Sequence, residues 1–190
     1  MGHYIPEEPE LKHVGGNWSG GNPQTLYPDL WAWLKQELKL STVIDVGCGE
    51  GCALECFKRL GYSASGFDGA PRNVTIAAQK GVSVQVHDLT KGPFVATPSD
   101  LVWCCEVVAQ VEEKYVQNVI DTLALGKYIA LTVELPGQWG YHHVNCRPIE
   151  YWADLLATKG YKIDVELTKK SKAYAGFFWL ATGTIYERVK

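Results

Sequence analysis

From residue 41 onward, short apolar runs alternate with longer segments whose apolar residues recur every three or four positions. The runs at 41–49, 62–68, 82–88, 100–105 and 127–135 predict buried strands, and the periodic segments at 52–61, 70–81, 112–126 and 147–160 predict helices between them. Two further runs, 161–168 and 175–187, predict closing strands. Only residues 169–174 separate them, a tight turn that makes the pair antiparallel neighbours. Strands and helices alternating over short connections predict an α/β fold. Its sheet is doubly wound, seven-stranded and mostly parallel, with an antiparallel C-terminal hairpin strand and helices on both faces. Ahead of it, 29–39 carries apolar residues at helical spacing from Leu30 to Leu38. The first 25 or so residues, with Pro6, Pro9, Pro23 and the glycine-rich stretch 15–23, predict no regular element. Residues 1–40 read as a lead-in and helix of the same domain as 41–190.

Composition narrows the function classes. The chain has 190 residues, 46% hydrophobic and 21% charged, with a formal net charge of −3. These are globular values, and without a basic block they disfavour nucleic acid or anionic membrane as the main partner. No apolar run approaches a membrane span, and the N-terminus lacks the basic-then-apolar order of a signal peptide, so a soluble cytoplasmic protein is expected. Of the six cysteines, Cys48, Cys52 and Cys56 recur every fourth residue and Cys104 and Cys105 are adjacent in an apolar run, which reads as reduced thiols.

The candidate chemistry starts at 43–51, where a strand runs straight into a glycine turn that opens a helix. Glycines let the backbone turn sharply and approach a ligand without a Cβ in the way. Gly47, Gly49 and Gly51 satisfy G-x-G-x-G. The dinucleotide fingerprint needs its third glycine at the position of Cys52, and no Gly-Lys-Ser/Thr follows to make a P-loop. Asp45, on the strand itself, is costly to bury unless hydrogen-bonded, so it serves the loop amides or, through water, a ligand's ammonium. The cysteine spacing is not the C-x3-C-x2-C of iron–sulfur radical enzymes, and small apolar packing accounts for it.

At this point the chain resembles the class I S-adenosylmethionine-dependent methyltransferases, of the small single-domain, Rossmann-like type. The run Val43-Ile44-Asp45-Val46-Gly47-Cys48-Gly49-Glu50-Gly51 has the form of their first motif, and the resemblance runs from Ser41 to Lys190. It implies S-adenosylmethionine as cofactor. It further implies that Asp68, followed by Gly69 and Ala70, binds the ribose hydroxyls, and that Asp88 meets the adenine amine while Leu89 and Ala70 cover the ring faces. The implied cofactor set is Asp45, Gly47, Cys48, Gly49, Gly51, Asp68, Gly69, Ala70, Asp88, Leu89 and Cys104. In the fourth block, Ala109 and Gln110 stand where some members carry Glu and His on a metal. With only Glu106 retained, metal-independent chemistry is expected.

The loop 136–148 follows the fifth strand at the end of the sheet where ligands bind. His143 matches by spacing a family histidine ahead of a helix of the form found here from Tyr151 to Tyr161. It is the first choice as general base, His142 is the second, and Tyr141 or Glu106 would orient the acceptor. Tyr4, Trp18, Tyr27, Trp31 and Trp33 crowd the lead-in, and Trp139, Tyr141 and Trp152 crowd the region of the loop. Together these predict a lead-in folded over the cofactor and an aromatic acceptor pocket. A hydroxyl on a small molecule, sugar or natural product is the expected acceptor. A methyltransferase for nucleic acid or protein with a docking partner, and a catalytically silent cofactor-binding module, are the alternatives.

Overall fold

A computed structural model describes residues 5–189, so Tyr4 lies outside the described residues. Helix α1 (Pro28–Leu38) starts at a proline whose φ suits the first turn and ends where Lys39 turns left-handed at φ 54°. There follow β1 (Thr42–Val46), α2 (Cys52–Arg59), β2 (Ser63–Asp68), α3 (Pro71–Gln79), β3 (Ser83–Val86), β4 (Ser99–Cys104), α4 (Val116–Leu123), β5 (Gly126–Leu131), α5 (Ile149–Ala157), β6 (Tyr161–Ile163), α6 (Val165–Ser171), α7 (Phe177–Thr182) and β7 (Thr184–Arg188). They form one seven-stranded sheet in the order β3-β2-β1-β4-β5-β7-β6, parallel except for β7, which runs antiparallel to both neighbours. No helix among the described residues is long and apolar enough to cross a membrane.

Alternation along the central strands feeds two cores. Ile44, Val46, Val102, Cys104, Ile129 and Leu131 face one side, where Ile120 of α4 and Trp152 of α5 close over them. Val43, Leu101, Trp103, Tyr128 and Ala130 face the other, toward α1, α2 and α7. On that second face Trp103 stacks on Trp179 with centroids 5.0 Å apart and meets Trp31 edge-on at 5.4 Å, while Trp31 lies 4.4 Å from Phe57. Four elements that are distant in sequence are thereby locked to one patch of sheet.

The closing strands differ from the sequence reading. They are antiparallel neighbours as expected, but they are joined by two helices rather than a tight turn. Residues 161–168 alternate apolar and polar strictly, yet only Tyr161–Ile163 is strand. Asp164 accepts a hydrogen bond from the Leu167 N–H at 2.8 Å and starts α6, an N-cap that overrides the period-2 pattern. Val165, apolar in sequence, is left 67% exposed. Residues 175–187 likewise split into α7 and β7, because burying Trp179 against Trp103 favours a helical turn there. The lead-in is not wholly irregular: Pro9–Val14 and Pro23–Thr25 form short 3-10 turns. The helix expected over 112–126 begins as a 3-10 turn at Glu113–Tyr115 before α4.

Trp31→Ala should destabilise the fold by about 3–5 kcal/mol, the range for removing a fully buried tryptophan. Urea unfolding at unchanged slope is the measurement; a loss under about 1 kcal/mol would show that α1 is not anchored by this contact.

Candidate active site

The order of the sheet reverses between β1 and β4, and the carboxyl ends of the strands there open onto a cavity of about 840 Å³. Its floor is the turn after β1. Gly47 (φ 67°) lies so close to Val107 that a Cβ would stand 2.6 Å from a methyl, so both the turn and the approach exclude larger residues. Asp68, at the end of β2, braces this turn. Its Oδ2 accepts from the Gly49 N–H at 2.9 Å, and its Oδ1 accepts from the Ala70 N–H at 2.9 Å and the Asn73 amide at 3.0 Å. Burial raises the Asp68 pKa even against these bonds.

Asp45 is in a different state. It lines the cavity, is buried, and its Oδ2 has no hydrogen-bond partner. Burial first, and then the charge of Asp68, push its pKa well above the ordinary carboxylate value. A buried, unpartnered carboxyl facing a cavity is a seat for a cation or a strong donor. The side chain of Asn17, which lines the same cavity near Gly49, has both polar atoms buried and unpartnered as well. These orphaned groups and the side-chain-free turn fit a ligand that brings both a cationic amine and further polar groups.

The lead-in forms the roof. Asp88 accepts from the Thr90 N–H at 2.8 Å and pairs with His13 at 2.9 Å. Burial works to raise Asp88, but Thr90 and His13 outweigh it and hold the carboxyl below its usual range. Glu50 accepts from the Gly20 N–H at 2.8 Å and pairs with Arg72 at 3.1 Å, and the Tyr141 hydroxyl donates to the Lys12 carbonyl at 2.7 Å. Trp18, Trp139, Tyr141 and Phe178 give this part of the cavity an aromatic lining.

Of the expected cofactor residues, Asp45, Gly47, Cys48, Gly49, Asp68, Gly69, Asp88 and Leu89 line the cavity. Three do not. Gly51 faces α3, where a Cβ would stand 2.8 Å from that of Ala77, so it is a packing position. Ala70 is buried at the N-cap of α3 and reaches the site only through its N–H to Asp68. Cys104 points into the core beside Val102 and Ile44, because alternation along β4 turns it away; Cys105, one residue on, lines the cavity instead.

On the acceptor side, His143, Tyr141 and Glu106 line the cavity and His142 does not. His142 is left-handed at φ 51°, with its Nε2 buried and unpartnered, and burial followed by the charge of His13 lowers its pKa against the pull of Glu112. The His143 ring packs over Gly140, with Nδ1 3.4 Å from the Gln138 carbonyl. Glu106, also left-handed at φ 60°, accepts from the Thr132 hydroxyl at 3.0 Å. His13, Asn17, Glu50 and Glu134 were not singled out from sequence. An acid inside the apolar run 127–135 was the available signal for Glu134. Among the described residues, no three His, Cys, Asp or Glu side chains are grouped to hold a metal ion.

Residues 43–125 match the family model of a methyltransferase domain. Over 144 residues the chain is 28% identical to a 2-heptyl-1-hydroxyquinolin-4(1H)-one methyltransferase of Mycobacteroides abscessus, covering 69% of this chain and 62% of that one. The chain spans less than two thirds of the length of each curated relative it matches. Among solved structures, a sugar N-methyltransferase of Streptoalloteichus superposes with TM-score 0.67 at 14% identity, over 88% of this chain and 90% of that one. A magnesium protoporphyrin IX methyltransferase of Synechocystis, solved with bound S-adenosylmethionine, gives 0.60 at 18% identity, over 83% and 74%. At these identities the likeness is one of fold, and the sheet order is the same evidence read from within the molecule. Residues 43–125 thus match a methyltransferase domain, and the chain has the fold of the S-adenosylmethionine-dependent methyltransferases it superposes on.

Proposed function

We propose that this chain transfers a methyl group from S-adenosylmethionine to a hydroxyl of a small, flat, largely apolar molecule, without a metal. The observation that carries the reading is the unpartnered Asp45 carboxyl in the cavity wall beside the glycine turn. Asp45 would take the cofactor's ammonium, Asp68 the ribose hydroxyls, and Asp88, on a lone pair left over from Thr90 and His13, the adenine amine above Leu89. The aromatic lining of Trp18, Trp139, Tyr141 and Phe178 suits a planar acceptor, as does the hydroxyquinolone in the name of the Mycobacteroides relative. Two further relatives, at 30% and 37% identity over short spans, are named ubiquinone biosynthesis O-methyltransferases, which supports oxygen as the atom methylated.

The cofactor supplies an activated methyl on a sulfonium, whose departure as a neutral thioether needs no acid. What remains for the protein is to align the acceptor, exclude water and take a proton. The roof of lead-in and loop would serve to exclude water. Both His143 and Glu106 line the cavity; in this reading His143 would receive the hydroxyl proton, and Glu106 would accept a second hydrogen bond from the acceptor and so orient it.

Four outcomes are expected. Calorimetry should show S-adenosylmethionine binding more tightly than a nicotinamide dinucleotide; the reverse order would sink the assignment. Asp68→Ala should weaken that binding roughly 10-fold to 100-fold, as expected for losing a buried charged acceptor, with melting followed in parallel because the Gly49 and Ala70 amides lose their partner as well. Turnover, read as S-adenosylhomocysteine release with hydroxylated aromatic acceptors, should survive dialysis against chelator, since beside Glu106 Ala109 offers no donor and Gln110 only a neutral amide oxygen. Rescue of a lost activity by magnesium or zinc would contradict it. His143→Ala should lower turnover roughly 100-fold to 10,000-fold while cofactor affinity stays constant; near-normal turnover in that variant would make the histidine a bracing residue of its loop.

A further inference from the structure

Glu134 is 1% exposed, the least exposed of the buried charged residues described. Neither of its oxygens has a hydrogen-bond partner. Its position follows from the sheet. Cys104 of β4 lies opposite Leu131 of β5, and the Thr132 N–H extends the ladder by one bond to the Cys104 carbonyl at 3.0 Å, so the segments leaving both strands stay side by side. In one of them Glu106 is left-handed, its N–H donates to Thr132 Oγ1 at 2.8 Å, and the same hydroxyl returns a hydrogen bond to its Oε1 at 3.0 Å. This two-bond clasp holds Glu106 in the wall of the cavity. In the other segment, two residues past Thr132, buried Glu134 lies near enough to Glu106 for the two carboxyls to act on each other. Two carboxylates offer only acceptors to each other, so a buried pair of this kind is stable only when one of them carries a proton.

We propose that Glu134 is a positioning residue that keeps the one proton of this pair and donates it in a hydrogen bond to Glu106, which stays an ionised acceptor facing the cavity. The site then demands a hydrogen-bond donor on the methyl acceptor at that point. This deepens the reading of Glu106 as the acceptor-orienting group and rests on it.

The electrostatics agree on where the proton sits. Burial first, and then the charge of Glu106, raise Glu134 to about 8. Glu106 is raised by burial but drawn back by the Thr132 hydroxyl and by Glu134 itself. The titratable groups facing the pair are Cys104 at the end of β4, Cys105 beside Glu106, Cys146 in the loop before α5, and Tyr27 ahead of α1. A carboxyl raised in the fold contributes stability that is present below its unfolded value. From about 4.5 up to about 8 the folded chain keeps a proton the unfolded chain has lost, so this contribution falls through that window.

Isotope-edited infrared spectroscopy of the full chain labelled on its glutamate carboxyls tests the pair without any turnover. The expected result is a protonated-carboxyl band at neutral pH that disappears as pH rises through about 8. The band should be absent in Glu134→Gln, and in Glu106→Gln its midpoint should move to lower pH because the neighbouring charge is gone. Glu134→Gln, which still offers a donor, should melt higher than the unsubstituted chain above pH 8 with the gap closing toward pH 4.5. It should also keep turnover, whereas Glu134→Leu should lose at least about tenfold at unchanged cofactor affinity. No protonated band at neutral pH, or a midpoint unmoved in Glu106→Gln, overturns the proposal. Failure of the unsubstituted chain to bind S-adenosylmethionine would strike at the cofactor reading instead, and the infrared result would still decide the pair.

Discussion

The carboxylate of Asp68 is the contact on which the ligand end of this molecule depends. It gathers the Gly49 amide from the turn after β1, the Ala70 amide from the turn after β2 and the side chain of Asn73 in α3. Each hydrogen bond to a charged group contributes roughly 1.5–3 kcal/mol, which offsets part of the desolvation that still leaves its pKa raised. The geometry follows from that one group. With Gly49 drawn toward Asp68, the turn curves around a space free of side chains, and Asp45 is left behind it with an oxygen that nothing in the protein satisfies. The same carboxylate sets the first turn of α3 through Ala70, so the cavity floor and the helix beside it form one hydrogen-bonded unit.

The far face of the sheet supplies the rigidity that this turn needs. Trp103 is held between Trp31 of α1 and Trp179 of α7, so the element leading out of the N-terminal segment and the one leading into β7 meet on a single ring system. The consequence reaches the cavity. In α7, Trp179 goes into the core and Phe178, one residue earlier, turns into the cavity wall. Docking α1 likewise returns the lead-in over the carboxyl ends of the strands, where Tyr141, Glu50 and Asp88 take hold of Lys12, Gly20 and His13. Each of these latches is a single hydrogen bond or ion pair of about 1 kcal/mol. The roof is therefore weaker than the floor, as suits a cavity that must open to admit a ligand.

How much was legible in the sequence divides along the same line. The seven strands and their mostly parallel arrangement follow from buried runs and glycine turns, because continuous apolar stretches between helices have few other solutions. The glycine turn was readable as a local pattern with a physical need, and Asp68 was singled out through the family resemblance. The closing helices were not. In 161–168 a perfect period-2 pattern loses to a single aspartate cap, and in 175–187 a tertiary contact of Trp179 decides the backbone. Cys104 and Cys105 differ by one residue, and a one-residue error in strand phase exchanges a core position for a cavity position. His13, Asn17 and Glu134 come to the site from segments without a motif, and only folding brings them near it.

The distribution of charge ties these parts together. Asp45, Asp68, Glu106 and Glu134 are all raised by burial at one end of one sheet, while Asp88, at the roof, is lowered by its partners. The signs oppose each other. The raised groups contribute stability that is lost as pH rises through their folded values, and Asp88 contributes stability lost only in acid. The cavity alone therefore resists its own ionisation. A cation entering beside Asp45 favours the ionised form of that carboxyl, so by linkage its uptake is coupled to loss of a proton and strengthens as pH rises. A site that is destabilised when empty and relieved by a positive charge selects for positive charge before any shape is compared, and the glycine turn then admits only what can lie against bare backbone.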